Sequence, residues 1–201
     1  MSDKSKNAVI VEYLRSPFDR AYKGKLAKTR PDDMAAEIVK KLVEKSGVNV
    51  DDIEDLKMGC AFPEGEQGLN IGRQVVFLSG LPVSVAGVTL NRFCGSSMQT
   101  IHDAAGAIAA GGGDAFICAG VESMSRIPMG GMNPGPNPKL FEDYPETYDG
   151  MGITAERLAD KYNISRKEQE EFALKSHQKA AKAQHDGGFD DEIIPVNGVE
   201  K

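Results

Sequence analysis

The sequence predicts an α/β fold, a sheet with helices packed on its faces, and three observations carry that prediction. Short apolar, β-branched runs alternate with longer stretches of helical period from Ile53 to Val121. Glycines and prolines stand between those segments, where the chain must turn. The composition is that of an ordinary globular domain, 40% hydrophobic and 27% charged over 201 residues.

Each element follows from its own residues. Ala8–Leu14 is an apolar run that reads as a buried strand stopped by Pro17. From Pro31 the period changes. Proline suits a first helical turn, Asp32 and Asp33 favour the positive helix start, and Met34, Ala35, Ile38, Val39, Leu42 and Val43 form one apolar stripe ending at Gly47. A second strand is expected within Ile53–Phe62, and a helix over Asn70–Leu78 closed by Gly80 and Pro82. Val83–Leu90 is β-branched and alternating, hence a third strand. An Ala/Ile-rich helix runs on to Ala110, Gly111–Gly113 ends it, and Ala115–Val121 reads as another buried strand.

Arg126–Gly150 holds five of the ten prolines and four glycines, which predicts a long loop without regular structure. Two helices follow, Thr154–Tyr162 and Ser165 to about His185, the second opened by the capping box Ser165-x-x-Glu168. Glu192–Val196 is expected as an edge strand, since Pro195 cannot donate to a ladder. No internal repeat is present.

Composition also restricts function. The net charge is −6 and the pI about 5.2, against a nucleic-acid partner, whose footprint is a basic face. The opening residues lack the apolar core of a secretory signal, and no apolar run approaches a membrane span, so no membrane partner is expected. Three cysteines are too few and odd in number for a disulfide scaffold, and they suit a reducing, cytoplasmic setting. Cysteines and histidines show no metal-ligand spacing.

Cys94 stands out by position. It lies where a buried strand hands over to a helix, and the unpaired N–H groups of a first helical turn favour a thiolate. Gly95 removes bulk beside the sulfur, in the manner of a nucleophile elbow. Position alone leaves two options open, a reactive thiol or an inert buried cysteine.

The segment Asn91-Arg-Phe-Cys94-Gly-Ser96 resembles the Asn-x-x-Cys-x-Ser nucleophile segment of the thiolase family. Four further stretches resemble the same family in order: Arg15-Ser-Pro-Phe18 with Gly24; Ala119-Gly-Val-Glu122-Ser-Met124-Ser125; Met151-Gly-Ile-Thr-Ala-Glu156; and the helix Ser165-Arg-x-x-Gln169-x-x-Phe172. The resemblance implies a thiolase-like N-terminal domain, a mixed sheet with helices on both faces, over residues 1–120. It also implies part of a loop domain over 121–201, with the family's C-terminal half absent. It implies acyl transfer between CoA thioesters through an acylated Cys94, with the Cys94 N–H as one oxyanion donor and Met151 near the pantetheine arm. It implies no resident cofactor, coenzyme A as substrate, and a homodimer or tetramer.

Three motifs of the family's second half, Gly-His-Pro, Asn-Glu-Ala-Phe and Cys-x-Gly in its family setting, are missing from residues 1–201. The Gly-His-Pro histidine that activates the nucleophile has no counterpart, since none of His102, His177 and His185 precedes a proline. The Cys-x-Gly acid/base cysteine is matched only formally by Cys118-Ala-Gly, which reads as core. Turnover by this chain alone is therefore not expected, and a non-catalytic dimerisation or scaffold module is the alternative. A related condensing enzyme is a third option, disfavoured by the Met151 and Glu122 segments. An exposed apolar face is also expected, because the family's halves pack together.

Other features read as structural. Glu122 is expected to grip the following loop and His102 to be packed or hydrogen-bonded. The lysines and arginines from Arg157 to Lys182 alternate with acids, as on a solvated helix face. Gly150-x-Gly152 lacks a preceding strand and is not read as a dinucleotide site.

Overall fold

The computed structural model describes residues 7–200; the opening Met1–Lys6, where the secretory-signal reading falls, lies outside them. The chain divides into two compact units. The first takes the described residues up to Met132 and those from Glu192 onward; the second is 133–191.

The first unit is built on three parallel strands in the order β2-β1-β3: β1 Ile53–Gly59, β2 Ala86–Leu90 and β3 Ala115–Gly120. Among the described residues the sheet is thus all-parallel rather than mixed. The cause is connectivity. Helices α2 (Ile71–Leu78) and α3 (Ser96–Ala110) lie in the links between strands and carry the chain back, so each strand starts from the same end of the sheet.

Successive residues of a strand face opposite sides, and here the two sides meet different helices. Leu56, Met58 and Ile117 join one apolar cluster with Val39 of α1 (Pro31–Ser46) and with Ile71, Val75 and Val76 of α2. Leu56, Met58, Ile71, Val75 and Val76 are all fully buried. The alternate residues Gly59, Cys118 and Gly120 face α3. Any Cβ on Gly59 would collide with the Ser96–Ser97 backbone, and one on Gly120 with the Ser97 side chain. Glycine at both places lets the start of α3 descend onto the ends of β1 and β3. Helices therefore cover both faces of the sheet, as the sequence predicts.

α2 is tied to the strand beside it. The Asn70 amide donates to the Gly87 carbonyl at 2.8 Å, and the Thr89 hydroxyl donates to Asn70 Oδ1 at 2.8 Å. Arg73 donates to the carbonyls of Val83 and Val85. Those carbonyls are taken by a side chain, and β2 starts only at Ala86 instead of Val83. β1 likewise ends at Gly59, short of Phe62, because the chain turns at Ala61–Phe62.

Two expected strands do not form. Ala8–Leu14 carries no strand pairing, and Val9, Ile10, Val11 and Tyr13 are exposed. An apolar run becomes a strand only beside a ladder partner, and among the described residues β2, β1 and β3 pair with one another alone. Glu192–Val196 makes only isolated bridges, Ile193 with Arg15 and Val196 with Val199. The Arg15 bridge still matters: Arg15 N–H donates to the Glu192 carbonyl at 2.8 Å, Ile194 N–H donates back at 2.9 Å, and the Arg15–Glu192 ion pair closes at 2.5 Å.

The second unit carries α4 (Pro138–Asp143), α5 (Met151–Tyr162) and α6 (Arg166–His185). The stretch 126–150 is thus not without structure. Pro138 and Pro145 occupy first turns of short helices, where no N–H is needed, and Asn137 caps α4 through Leu140 N–H at 3.0 Å. α5 opens at Met151, three residues earlier than expected. The Ser165–Glu168 capping box of α6 is present in both directions. No described helix is long and apolar enough to cross a membrane.

Candidate active site

In a parallel sheet all strands end on one side, and the loops leaving that side converge. Here they are the turns after Gly59, after Leu90 and after Gly120. Cys60 N–H donates to the Leu90 carbonyl, and Val121 N–H to the Gly59 carbonyl, both at 3.0 Å, so the three strand ends are fastened together.

Cys94 lies on the turn after Leu90, two residues before α3. Of the three cysteines it alone is exposed. The turn presenting it is strained. Phe93 has φ +45°, a left-handed conformation that costs a side-chain-bearing residue roughly 1–2 kcal/mol. Hydrogen bonds on both sides hold it there. Asn91 Oδ1 accepts from Phe93 N–H at 2.8 Å. The buried Ser96 hydroxyl accepts from Arg92 N–H at 2.9 Å and donates to the Phe93 carbonyl at 2.6 Å. Gly95 and Ser96 N–H donate to the carbonyls of Arg92 and Phe93, each at 3.0 Å. Gly95 sits at the cap of α3, with no side chain to claim the first amides.

Beneath this turn lies a buried polar cluster. Gln67 is fully buried. Its Oε1 accepts from Ser123 N–H at 2.6 Å; its Nε2 donates to the Phe62 carbonyl at 2.9 Å and to Glu122 Oε1 at 2.7 Å, and lies 3.3 Å from Cys60 Sγ. Glu122 Oε2 accepts from Ala61 N–H at 2.7 Å. Burial, reinforced by the charge of Glu122, pushes the Cys60 thiol up to about 11. Burial also raises Cys118, whose thiol donates to the Thr100 carbonyl at 3.4 Å. Neither thiol is poised for nucleophilic work.

Glu122 has a structural role, but it grips Ala61 and Gln67 in the segment after β1 rather than the loop that follows it, because the three strand ends lie side by side. His102 does not have its expected one: it is exposed on α3, because the sheet-facing positions go to Ser96, Thr100 and Ala104. His177 and His185 are exposed on α6, and Arg166–Glu170, Lys167–Glu171 and Lys182–Asp186 pair along that helix. Met151 is exposed at the first position of α5 in the second unit, while Cys94 belongs to the first. Among the described residues no group of His, Cys, Asp and Glu is arranged to hold a metal ion.

The family description "Thiolase, N-terminal domain" matches residues 8–201. The chain belongs to the thiolase family. A 3-ketoacyl-CoA thiolase of Bacillus subtilis is 49% identical over 191 residues, 95% of this chain and 49% of that protein. Those of Psychrobacter cryohalolentis and Acinetobacter baumannii are 44% and 43% identical over 98% and 96% of the chain. The chain spans about half the length of these curated relatives. The segment Asn91–Ser96, which by sequence resembles the family's nucleophile motif, coincides with the strained turn and its two supporting side chains. Gln67 was not singled out by the sequence. It sits in the polar run Glu64–Gly68, and no periodicity marks it as buried.

Proposed function

We propose that this chain supplies the nucleophile of a thiolase-type acyl transfer between CoA thioesters, 3-ketoacyl-CoA plus CoA giving a shortened acyl-CoA plus acetyl-CoA, or the reverse. The observation that carries the proposal is Cys94, an exposed cysteine on a strained, hydrogen-bonded turn at the start of α3. In the cleavage direction the Cys94 thiolate bonds to the 3-keto carbon. The bond between C2 and C3 then breaks, and the departing acetyl-CoA carbanion takes a proton. The thiol of free CoA next attacks the acyl-cysteine thioester and releases Cys94. Oxyanion donors are typically worth about 3–4 kcal/mol, and the Cys94 N–H is assigned as one. Met151 is assigned to the acyl-CoA arm, on its match to the family motif and its exposure. Assembly as a homodimer or tetramer and a cytoplasmic setting belong to the same reading.

General acid/base assistance contributes about 10²–10⁴-fold, and residues 1–201 carry none of the family's motifs for it. We therefore expect one acylation event and no sustained turnover from this chain alone. The second reading is a non-catalytic dimerisation or scaffold module. The exposed apolar Met98 and Ile101 on α3 favour it.

Intact mass after incubation with acetyl-CoA, beside a Cys94→Ala control, separates the two. One acetyl adduct lost in the control supports the acyl-transfer reading. No adduct on the unaltered chain sinks it and leaves the module.

A further inference from the structure

We infer that Gln67, acting with Glu122 through the Ala61–Phe62 segment, is a positioning residue for Cys94; the inference rests on the acyl-transfer reading. A continuous path of contacts supports it. Gln67 and Glu122 hold the Phe62 carbonyl and the Ala61 N–H. The Ala61 carbonyl accepts from Asn91 Nδ2 at 2.9 Å, and Asn91 Oδ1 accepts from Phe93 N–H. In parallel the Phe62 and Phe93 rings meet at 6.1 Å between centroids. Phe93 is the strained residue immediately before Cys94. Strain persists only where the surroundings over-determine it, and each of these hydrogen bonds ends on a backbone group of the turn or of the segment bracing it.

The chemistry of Gln67 is specific as well as its shape. Ser123 N–H requires an acceptor, whereas the Phe62 carbonyl and Glu122 require donors. Only an amide, oriented one way, serves all three. A carboxylate of the same shape would set oxygen against oxygen on two sides. A packing role alone would accept any side chain of that volume.

The test compares two reactions of Cys94 in the chain. Alkylation by iodoacetamide needs only an accessible thiolate. Acetylation by acetyl-CoA needs the sulfur aligned with a bound thioester. For Gln67→Glu we expect acetylation about 10–100-fold slower, the scale of small misplacements at a reacting centre, with alkylation within about two-fold of the unaltered chain. Adding Glu122→Gln to Gln67→Glu restores one donor–acceptor contact and should recover part of the acetylation rate. Asn91 is exposed, so Asn91→Asp keeps the fold if the Gln67 variant does not. It retains the acceptor for Phe93 N–H, loses the donor to Ala61, and should slow acetylation selectively by about 3–10-fold. Acetylation unchanged in the folded variants, or falling in step with alkylation, overturns the positioning role while leaving the acyl-transfer reading intact. An unaltered chain that takes no acetyl group overturns both.

Discussion

Cys94 and Cys60 leave the same end of one sheet, yet the fold treats their thiols in opposite ways. Cys60 follows β1 directly, is 1% exposed, and lies against Gln67 and Glu122, where burial and a neighbouring carboxylate hold the proton on sulfur. Cys94 comes four residues after β2, on a turn that carries it out to solvent. The contrast teaches that length of connection, not residue type, separates a buried thiol from an exposed one. A chain that turns at once into the packed layer buries its cysteine. One that overshoots, then is pulled back by Asn91 and Ser96, exposes it.

Three measurements would break or sharpen that contrast. The largest effect is expected in native-state alkylation followed by peptide mapping. Cys60 reacts only through opening of the core, so Cys94 should label roughly a thousand-fold faster or more. Comparable rates would mean the cluster around Gln67 opens readily. Next, Gly59→Ala places a methyl group against the Ser96–Ser97 backbone and should cost about 2–3 kcal/mol in urea unfolding, with α3 displaced from the sheet. A neutral result would show that the start of α3 has room to move. The smallest effect is in alkali. The folded Cys60 thiol titrates at about 11, above its ordinary 9.0. Its stabilising contribution is therefore complete below pH 9 and lost as the pH rises from 9 through about 11. The unaltered chain should lose more stability over that window than Cys60→Ala. Parallel curves would remove the perturbed thiol from the account.

The core of the fold was legible because periodicity records burial. Leu56 and Met58 alternate with sheet residues that face α3, and Ile71, Val75 and Val76 repeat at helical spacing, so the sequence discloses both partners of one packed layer. The Ala8–Leu14 run was misread for the same reason. Its composition states that it is apolar, not that a ladder partner stands beside it. The prolines of 126–150 were read as breakers, although Pro138 and Pro145 open helices. At the site, Cys94, Asn91 and Ser96 share a short motif and could be found together. Gln67 could not, because its partners come from Cys60, Phe62, Ser123 and Glu122, and only the folded chain gathers them.

The return of the chain at Glu192 has a consequence for variation. The excursion 133–191 leaves the sheet-bearing unit and rejoins it at the residue whose carbonyl and carboxylate receive Arg15, and none of its residues is buried. Closing a longer or shorter detour between fixed anchor points changes free energy slowly, by about 0.6 kcal/mol per doubling of length. Insertions, deletions and sequence drift in that excursion are thus nearly decoupled from the layer that holds the sulfur. One scaffold can try many detours without renegotiating its foundation.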